Sequence, residues 1–171
     1  MNNSDGYSKF SIIKSVDGGQ TWAGVTPEMG GDNACYNIII HPEDPDIIYA
    51  GMEGSIMKTI NGGDSWTFDL HPASGAYFRG LMFDPDDSYH LFTGGDCNGG
   101  FDLKIWEKFD REIVQPIDPY WYRHIEEGAG AVYEIVHDPV NLDIMYVGTT
   151  NGVYIFFSGW NGHPPVDDNI D

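Results

Sequence analysis

The apolar residues of this chain fall into short segments separated by polar turns, and these segments are of two kinds. Continuous apolar runs at 37–41, 47–51 and 55–58 are typical of strands buried on both faces. The segment 66–70 instead alternates apolar and polar residues, which is typical of an outer strand with one face in water. Together they predict four short antiparallel strands in succession.

The same arrangement returns twice further along the chain. A buried strand, a turn that contains proline and a second buried strand recur around Pro85 and Pro139, as they do around Pro42. The three prolines are spaced by 43 and then 54 residues, so the last period holds about eleven extra residues, which fall around 107–131. A repeat of this length with four strands is the content of one propeller blade.

Two eight-residue turns are closely similar, SVDGGQTW at 15–22 and TINGGDSW at 59–66. The short polar side chain at the third position can accept hydrogen bonds from backbone N–H groups of its own turn. Glycine allows the positive φ that the turn requires, and the closing tryptophan can cover apolar surface beside the hairpin. The residues of the shared pattern are Ser15, Asp17, Gly19, Thr21 and Trp22, and Thr59, Asn61, Gly63, Ser65 and Trp66.

This pattern resembles the Asp-box, or BNR, repeat of β-propellers, in which the turn has a structural role. The resemblance implies an all-β fold, a β-propeller arc of a little over three four-stranded antiparallel blades with Asp-box turns. Residues 1–160 would form this partial propeller and 161–171 a disordered tail. Its units would be two outer strands of one blade at 8–25, a blade at 37–70, an enlarged blade at 79–115 and a further blade at 132–158.

An open arc leaves strand edges unpaired, and unpaired edges favour aggregation. A propeller usually needs at least four blades to close. We therefore expect the chain either to be part of a larger propeller, which we favour, or to associate with other copies to complete a ring.

The charge of the chain excludes some partners. The formal net charge is −19 and there are only three arginines, Arg79, Arg111 and Arg123, which argues against binding to nucleic acid or to an anionic membrane. A polysaccharide, a cation or a basic protein remains open as a partner. No apolar run approaches a membrane span, and the first residues lack a signal segment. The acidic surface suits a secreted or extracytoplasmic protein.

Cys35 and Cys97 lack the pair spacing of a zinc site, and no segment fits a calcium-binding EF-hand loop, so we predict no metal and no cofactor. The two cysteines are either buried free thiols or a disulfide. Since both fall in loops at the same face of neighbouring predicted blades, a Cys35–Cys97 bridge is our hypothesis.

Propeller topology divides the loops between two faces. We call the face with both glycine turns the turn face, and the opposite face, where propellers usually bind ligands, the ligand face. The loops expected on the ligand face are 26–36, 51–54, 71–79, 94–101, 115–131 and 148–151.

The most suggestive ligand-face loop is GGDCNGGF at 94–101. It resembles the G-D-x-G-G-F loop of glycoside hydrolase family 74, the xyloglucanases, and the resemblance implies that Asp96 serves in acid/base catalysis. The alternative is that Asp96 only orders a glycine-rich turn. An inverting glycosidase needs a second carboxyl group about 6.5–9.5 Å away. The candidates are Asp32, Glu53, Glu126 and Glu127, or a residue outside this chain, as the family resemblance implies.

A second suggestive stretch lies in the enlarged loop. Tyr120, Trp121 and Tyr122 offer flat faces for sugar rings, and Arg123 offers hydrogen-bond donors beside them. We predict these four residues and Glu53 as substrate-binding. The alternative for the aromatic rings is that they pack the loop against the edge of the blade.

Two functions follow from these features. One is a part of a secreted, glycan-active Asp-box propeller, a β-glucan or xyloglucan-type glycoside hydrolase. The other is a non-catalytic propeller module that binds protein or glycan, as in the sortilin-like propellers that share the repeat. A sialidase is disfavoured because it needs a cluster of arginines for its carboxylate substrate.

Overall fold

The computed structural model describes residues 12–26, 34–70, 76–97, 103–109, 122–126 and 130–157. Within these ranges, only the backbone is described at 76, 96–97, 103–109, 122–126 and 157. The predicted tail at 161–171 lies outside the described residues, as do Asp32, Tyr120, Trp121 and Glu127. No helix in the described ranges is long and apolar enough to cross a membrane.

The described strands form four antiparallel sheets, and in each sheet neighbouring strands are consecutive in the chain. The first sheet contains β1 (Ile13–Lys14) and β2 (Ala23–Gly24). The second contains β3 (Cys35–Ile40), β4 (Ile48–Met52), β5 (Ile56–Thr59) and β6 (Thr67–Leu70). The third contains β7 (Ala76–Phe83), β8 (His90–Cys97), β9 (Leu103–Phe109) and β10 (Tyr122–Glu126). The fourth contains β11 (Val132–His137), β12 (Ile144–Thr149) and β13 (Gly152–Phe157).

Successive sheets pack face to face on apolar side chains. Ile12 and Met57 belong to the cluster between the first and second sheets, Tyr49 and Phe78 to the next, and the third lies between the third and fourth sheets around Phe92. The first strand of each large sheet contacts the first strand of the next, β3 against β7 and β7 against β11. These strands are therefore the inner strands of an arc of blades, and the predicted all-β propeller fold is confirmed.

The third sheet differs from the prediction at its outer strand. The sequence predicted that this blade ends at 115 and that 115–131 forms a ligand-face loop. Instead, Tyr122–Glu126 forms β10, which pairs with β9 from Tyr122 opposite Glu107 to Glu126 opposite Leu103. Strand β10 supplies partners to backbone groups that would otherwise be exposed at the edge of β9. The extra residues of this period therefore fall between the end of β9 and the start of β10, and both of these strand ends lie toward the turn face.

The predicted disulfide is absent. Cys35 has a free thiol, and its Sγ lies 3.3 Å from the carbonyl oxygen of Asn37. Its side chain packs on the apolar cluster between the first and second sheets, whereas the backbone of Cys97 belongs to the third sheet. The side chain of Cys35 is thus directed away from the sheet that contains Cys97. Burial raises the pKa of the Cys35 thiol.

The turn that follows each inner strand is capped by the residue directly before the matched proline. Nδ1 of His41 accepts hydrogen bonds from the N–H groups of Glu43 and Asp44, both at 3.2 Å. Asp84 and Asp138 occupy the same position in the next two blades, and each carboxylate accepts an N–H from two residues further on. A short-range acceptor is what this position requires, and either imidazole or carboxylate can supply it.

Candidate functional site

A β-bulge occurs at the same place in each of the three inner strands. In β3, Cys35 pairs with Met52 and Asn37 pairs with Gly51, so the intervening Tyr36 has no partner in the register. The corresponding bulged residues are Arg79 in β7 and Tyr133 in β11. A bulge bends its strand and re-aims the extra side chain, and bulges are frequent beside active sites.

These bulged residues meet on the inner side of the arc. The guanidinium carbon of Arg79 lies 5.4 Å from the ring centroid of Tyr36 and 5.0 Å from that of Tyr133. It also lies 5.6 Å from the ring of Tyr77, two residues earlier in the same strand. We call Tyr36, Tyr77, Arg79 and Tyr133 the tyrosine–arginine cluster. It joins three blades near the starts of their inner strands, which is the ligand face.

Two further contacts support this cluster. Nδ2 of Asn37 donates a hydrogen bond of 2.7 Å to the carbonyl oxygen of Arg79 and so ties β3 to β7. The rings of Tyr36 and Tyr77 meet edge to face, with centroids 5.6 Å apart and planes at 89°. Aromatic pairs prefer this arrangement because the positive edge of one ring meets the negative face of the other. Arg79 is therefore held in place from both neighbouring blades.

Two predicted site residues lie on either side of Tyr77. Glu53 forms a bridge with Tyr77 across the gap between the second and third sheets, and Asp96 is the register partner of Tyr77 in β8. Antiparallel partners have Cα atoms about 4.5–5.5 Å apart, so the Cα atoms of Glu53 and Asp96 span at most about 11 Å. The fold thus brings Glu53, one of four candidate partners, beside the strand position of Asp96.

Glu53 is positioned by a tight turn between β4 and β5. The N–H of Met52 donates to the carbonyl oxygen of Ser55 at 2.9 Å, and Gly54 between them has a φ of 81°. A residue with a Cβ is strained at that φ, so glycine is required here. The N–H of Glu53 donates to the carbonyl oxygen of Ala34 at 3.3 Å, just before β3 begins.

Tyr122 and Arg123 do not lie in a strand next to Asp96. Both lie in β10, the outermost strand of the third sheet, two strands away from β8. Neighbouring strands are about 4.8 Å apart, so β10 lies roughly 10 Å from β8 within the sheet. Their predicted location in a ligand-face loop is therefore wrong, and Tyr120 and Trp121 lie outside the described residues.

The first glycine turn, 15–22, is held by its own side chains. Asp17 accepts hydrogen bonds from the N–H of Thr21 at 2.8 Å and from its hydroxyl at 2.6 Å. The hydroxyl of Ser15 accepts from the N–H of Gly19 at 2.7 Å and donates to Asp17 at 2.9 Å. The hydrogen bonds from Thr21 contribute most to lowering the pKa of the Asp17 carboxyl group, which falls to about 2.

The second glycine turn, 59–66, repeats this network with different atoms. Oδ1 of Asn61 accepts from the N–H of Ser65 at 2.9 Å, and Nδ2 of Asn61 donates to the hydroxyl of Ser65 at 2.9 Å. The hydroxyl of Thr59 accepts from the N–H of Gly63 at 3.0 Å. The predicted hydrogen bonds within each turn are thus present, and both turns lie at the face opposite Asp96 and Glu53.

Sequence reasoning missed the tyrosine–arginine cluster, although the repeat contains a pattern that identifies it. Tyr36, Arg79 and Tyr133 each lie six residues before a matched proline. Aligning the repeats on those prolines would have placed all three at one position of the blade. Within the described ranges, no group of three or more metal-ligating side chains was found.

Comparison with known proteins gives a match in structure but none in sequence. No family model matches the chain, and no curated protein matches it significantly. The crystal structure of an ancestral GH74 enzyme is similar, with a TM-score of 0.68 at 16% sequence identity. The match covers 85% of this chain and 20% of that enzyme, so the chain spans about a fifth of its length. At this identity the likeness establishes the fold, and the chain folds like a part of a GH74 propeller.

Proposed function

We propose that this chain is part of a secreted, glycan-active propeller that hydrolyses a β-glucan or xyloglucan-type polysaccharide at its ligand face. The observation that carries the proposal is the position of Asp96 and Glu53 on either side of Tyr77. The propeller likeness to a GH74 enzyme supports it, as does the Asp-box pattern of the two glycine turns.

Hydrolysis by this site would use two carboxyl groups. The carboxyl group of Asp96 protonates the leaving glycosidic oxygen as the bond to the anomeric carbon breaks, and a second carboxylate takes a proton from the attacking water. Glu53 is the candidate for the second role within this chain. The other source is a carboxylate from another part of a larger propeller, across the cleft from Asp96.

The tyrosine–arginine cluster would bind the sugar chain beside these groups. Tyr36 is 37% exposed and Tyr133 is 49% exposed, so both offer surface for a ligand. A cavity of about 320 Å³ opens next to Tyr36 and is lined by Ile12, Cys35 and Ile38 among others. Sugar C–H groups can pack on such rings while their hydroxyl groups bond to nearby polar atoms.

Hydrolysis is tested by reducing-sugar release from xyloglucan and from a mixed-linkage β-glucan, with the whole protein. Asp96→Asn should lower release by about 100-fold or more, since it removes a general acid. Asp64→Asn is the matched control because Asp64 is an exposed carboxylate in the second glycine turn, at the opposite face. A comparable loss in Glu53→Gln would assign the second carboxyl group to this chain. Unchanged release in Asp96→Asn would contradict the proposal.

The second candidate is a non-catalytic module that binds glycan or protein. It is favoured by the absence of any sequence motif around Glu53, and by the small share of the GH74 enzyme that this chain spans. Retention of the protein in a xyloglucan affinity gel without release of sugar would support it. In either case the partners we propose include the remaining blades of a larger chain, or further copies. Val153 and Ile155 on β13 are 69% and 52% exposed, as expected for a surface that receives them.

A further inference from the structure

We infer that the tyrosine–arginine cluster is a subsite for an acidic sugar, one that carries a carboxylate or a sulfate group. This inference rests on the proposed glycan-binding function of the ligand face and adds to it an acidic group on the glycan where it meets the cluster. It departs from the neutral polysaccharide that the net charge of the chain favours.

Arg79 carries hydrogen-bond donors that no described side chain accepts. Among the described side chains, Arg79 makes three contacts with tyrosine rings but no ion pair and no side-chain hydrogen bond. By contrast, the ammonium group of Lys14 donates to the carbonyl oxygen of Gly62 at 2.8 Å and so links two sheets. A guanidinium group has five N–H donors, and a half-buried one without acceptors is costly unless a ligand or water supplies them.

The contacts of Arg79 with the rings favour an anionic ligand. The guanidinium carbon of Arg79 lies 5.0–5.6 Å from the centroids of three tyrosine rings, a range within which the π electrons of the rings stabilise its charge. The planar fork of N–H donors matches two oxygen atoms of a carboxylate or sulfate group. Packing from both neighbouring blades also restricts the rotamers of Arg79, so little side-chain entropy is lost when an anion binds.

Several acidic residues lie near the cluster. Glu53 bridges to the strand of Arg79 and Glu134 follows Tyr133, yet neither forms an ion pair with Arg79 in the described structure. Asp96 lies in the neighbouring strand β8, and as the proposed general acid its carboxyl group is protonated and uncharged before hydrolysis. Acidic residues more than about 8 Å from the cluster are largely screened at physiological ionic strength. The net charge of −19 therefore does not by itself exclude an anionic ligand at the cluster.

A pair of oligosaccharides with one linkage tests this inference. The probes are a β-1,4-linked glucose hexamer and a β-1,4-linked glucuronic acid hexamer, which differ in whether C6 carries a hydroxyl or a carboxylate. A sulfated form of the glucose hexamer distinguishes the two anions. Calorimetric titration of the whole protein should show binding of an acidic hexamer roughly 10- to 100-fold tighter than binding of the neutral one, as expected for one bidentate charged contact.

Variants assign this preference to Arg79. Arg79→Gln should abolish it, and Arg79→Lys should retain only part of it because an ammonium group lacks the fork. Lys58→Gln is the matched control. It also removes one positive charge, but near the turn face, and should leave the preference for acidic hexamers unchanged. Each variant is first checked for an unaltered thermal midpoint, and Arg79→Lys keeps the test valid if Arg79→Gln unfolds.

The outcomes separate this inference from the proposed function. Equal affinity for neutral and acidic hexamers, or a preference that survives in Arg79→Gln, overturns the acidic-sugar subsite and leaves glycan binding intact. Failure of every hexamer to bind overturns both. Binding of only the sulfated or only the carboxylated hexamer supports the subsite and identifies its anion.

Discussion

The two glycine turns have nearly the same hydrogen bonds but different surroundings. In the second turn, the indole N–H of Trp66 donates to the carbonyl oxygen of Val25 at 2.7 Å, across the gap to the first sheet, and its ring packs on the cluster between the two sheets. In the first turn, Trp22 is 60% exposed and donates to Gly19 of its own turn at 3.1 Å. The turn is thus built by its own residues, whereas its tryptophan stabilises the fold only where a neighbouring blade receives it.

The largest expected effect is that of removing the two indole rings. Trp66→Ala should lower the free energy of unfolding by about 2–4 kcal/mol, because it deletes a packed ring between two sheets. Trp22→Ala should change it by about 0.5 kcal/mol or less, because no described sheet packs on that ring. Urea unfolding of both variants, followed by circular dichroism, measures the difference. Equal losses would show that Trp22 also packs against another part of the protein.

Two glycines at equivalent positions in the strands allow the same comparison between a site that a neighbouring blade covers and one that no described blade covers. Gly51 in β4 and Gly148 in β12 both lie opposite the residue after a bulge. A Cβ at Gly51 would overlap the carbonyl oxygen of Phe78 in the next blade, whereas the nearest atoms to a Cβ at Gly148 are 3.9 Å away. Gly51→Ala should therefore cost about 1–3 kcal/mol of stability and Gly148→Ala less than about 0.5 kcal/mol.

Thermal unfolding of the two glycine variants measures this difference. A large loss in Gly148→Ala would mean that another blade, or another copy, packs against β12 as β7 packs against β4. The same measurement at several protein concentrations separates these cases, since only association between copies depends on concentration.

The smallest expected effect is a difference between the two glycine turns in how their contribution to stability depends on pH. The folded-state pKa of Asp17 is about 2, below its ordinary value of 3.8, so its contribution to stability is complete above about pH 4 and is lost as the pH falls toward 2. Asn61 has the same role in the second turn and does not titrate. The variant Asp17→Asn should thus have a shallower decline in urea midpoint between pH 4 and pH 2 than the unmodified protein.

Part of that decline belongs to other carboxylates and should persist in the variant. Hydrogen bonds from the N–H groups of Asn141 and Val140 lower the pKa of Asp138. Burial acts to raise the pKa of Asp84, but hydrogen bonds from His90 and from the N–H of Asp86 outweigh it and lower the pKa. An Asp17→Asn curve parallel to that of the unmodified protein would contradict the role of Asp17.

The candidate site was predictable only in part. Asp96 and Glu53 were found from a loop motif and from loop positions, but not their common neighbour Tyr77, because that relation depends on the register of β7 against β8 and on a bridge between sheets. Arg123 was predicted as the binding arginine because it lies beside aromatic residues in sequence. The structure places Arg79 among the tyrosines instead, because bulges in three separate strands bring Tyr36, Arg79 and Tyr133 together beside Tyr77.

The sequence by itself determined the period, the blade order and both glycine turns. The reason is that the hydrogen bonds of each turn join residues no more than four positions apart, so local sequence is sufficient to specify them. Only the tertiary structure decided the outer strand β10, the direction of Cys35 and the partners of Trp66 and Arg79. Those features depend on contacts between blades, over 40 or more residues for Trp66 with Val25 and for Arg79 with Tyr36, and no local pattern encodes which surfaces will meet.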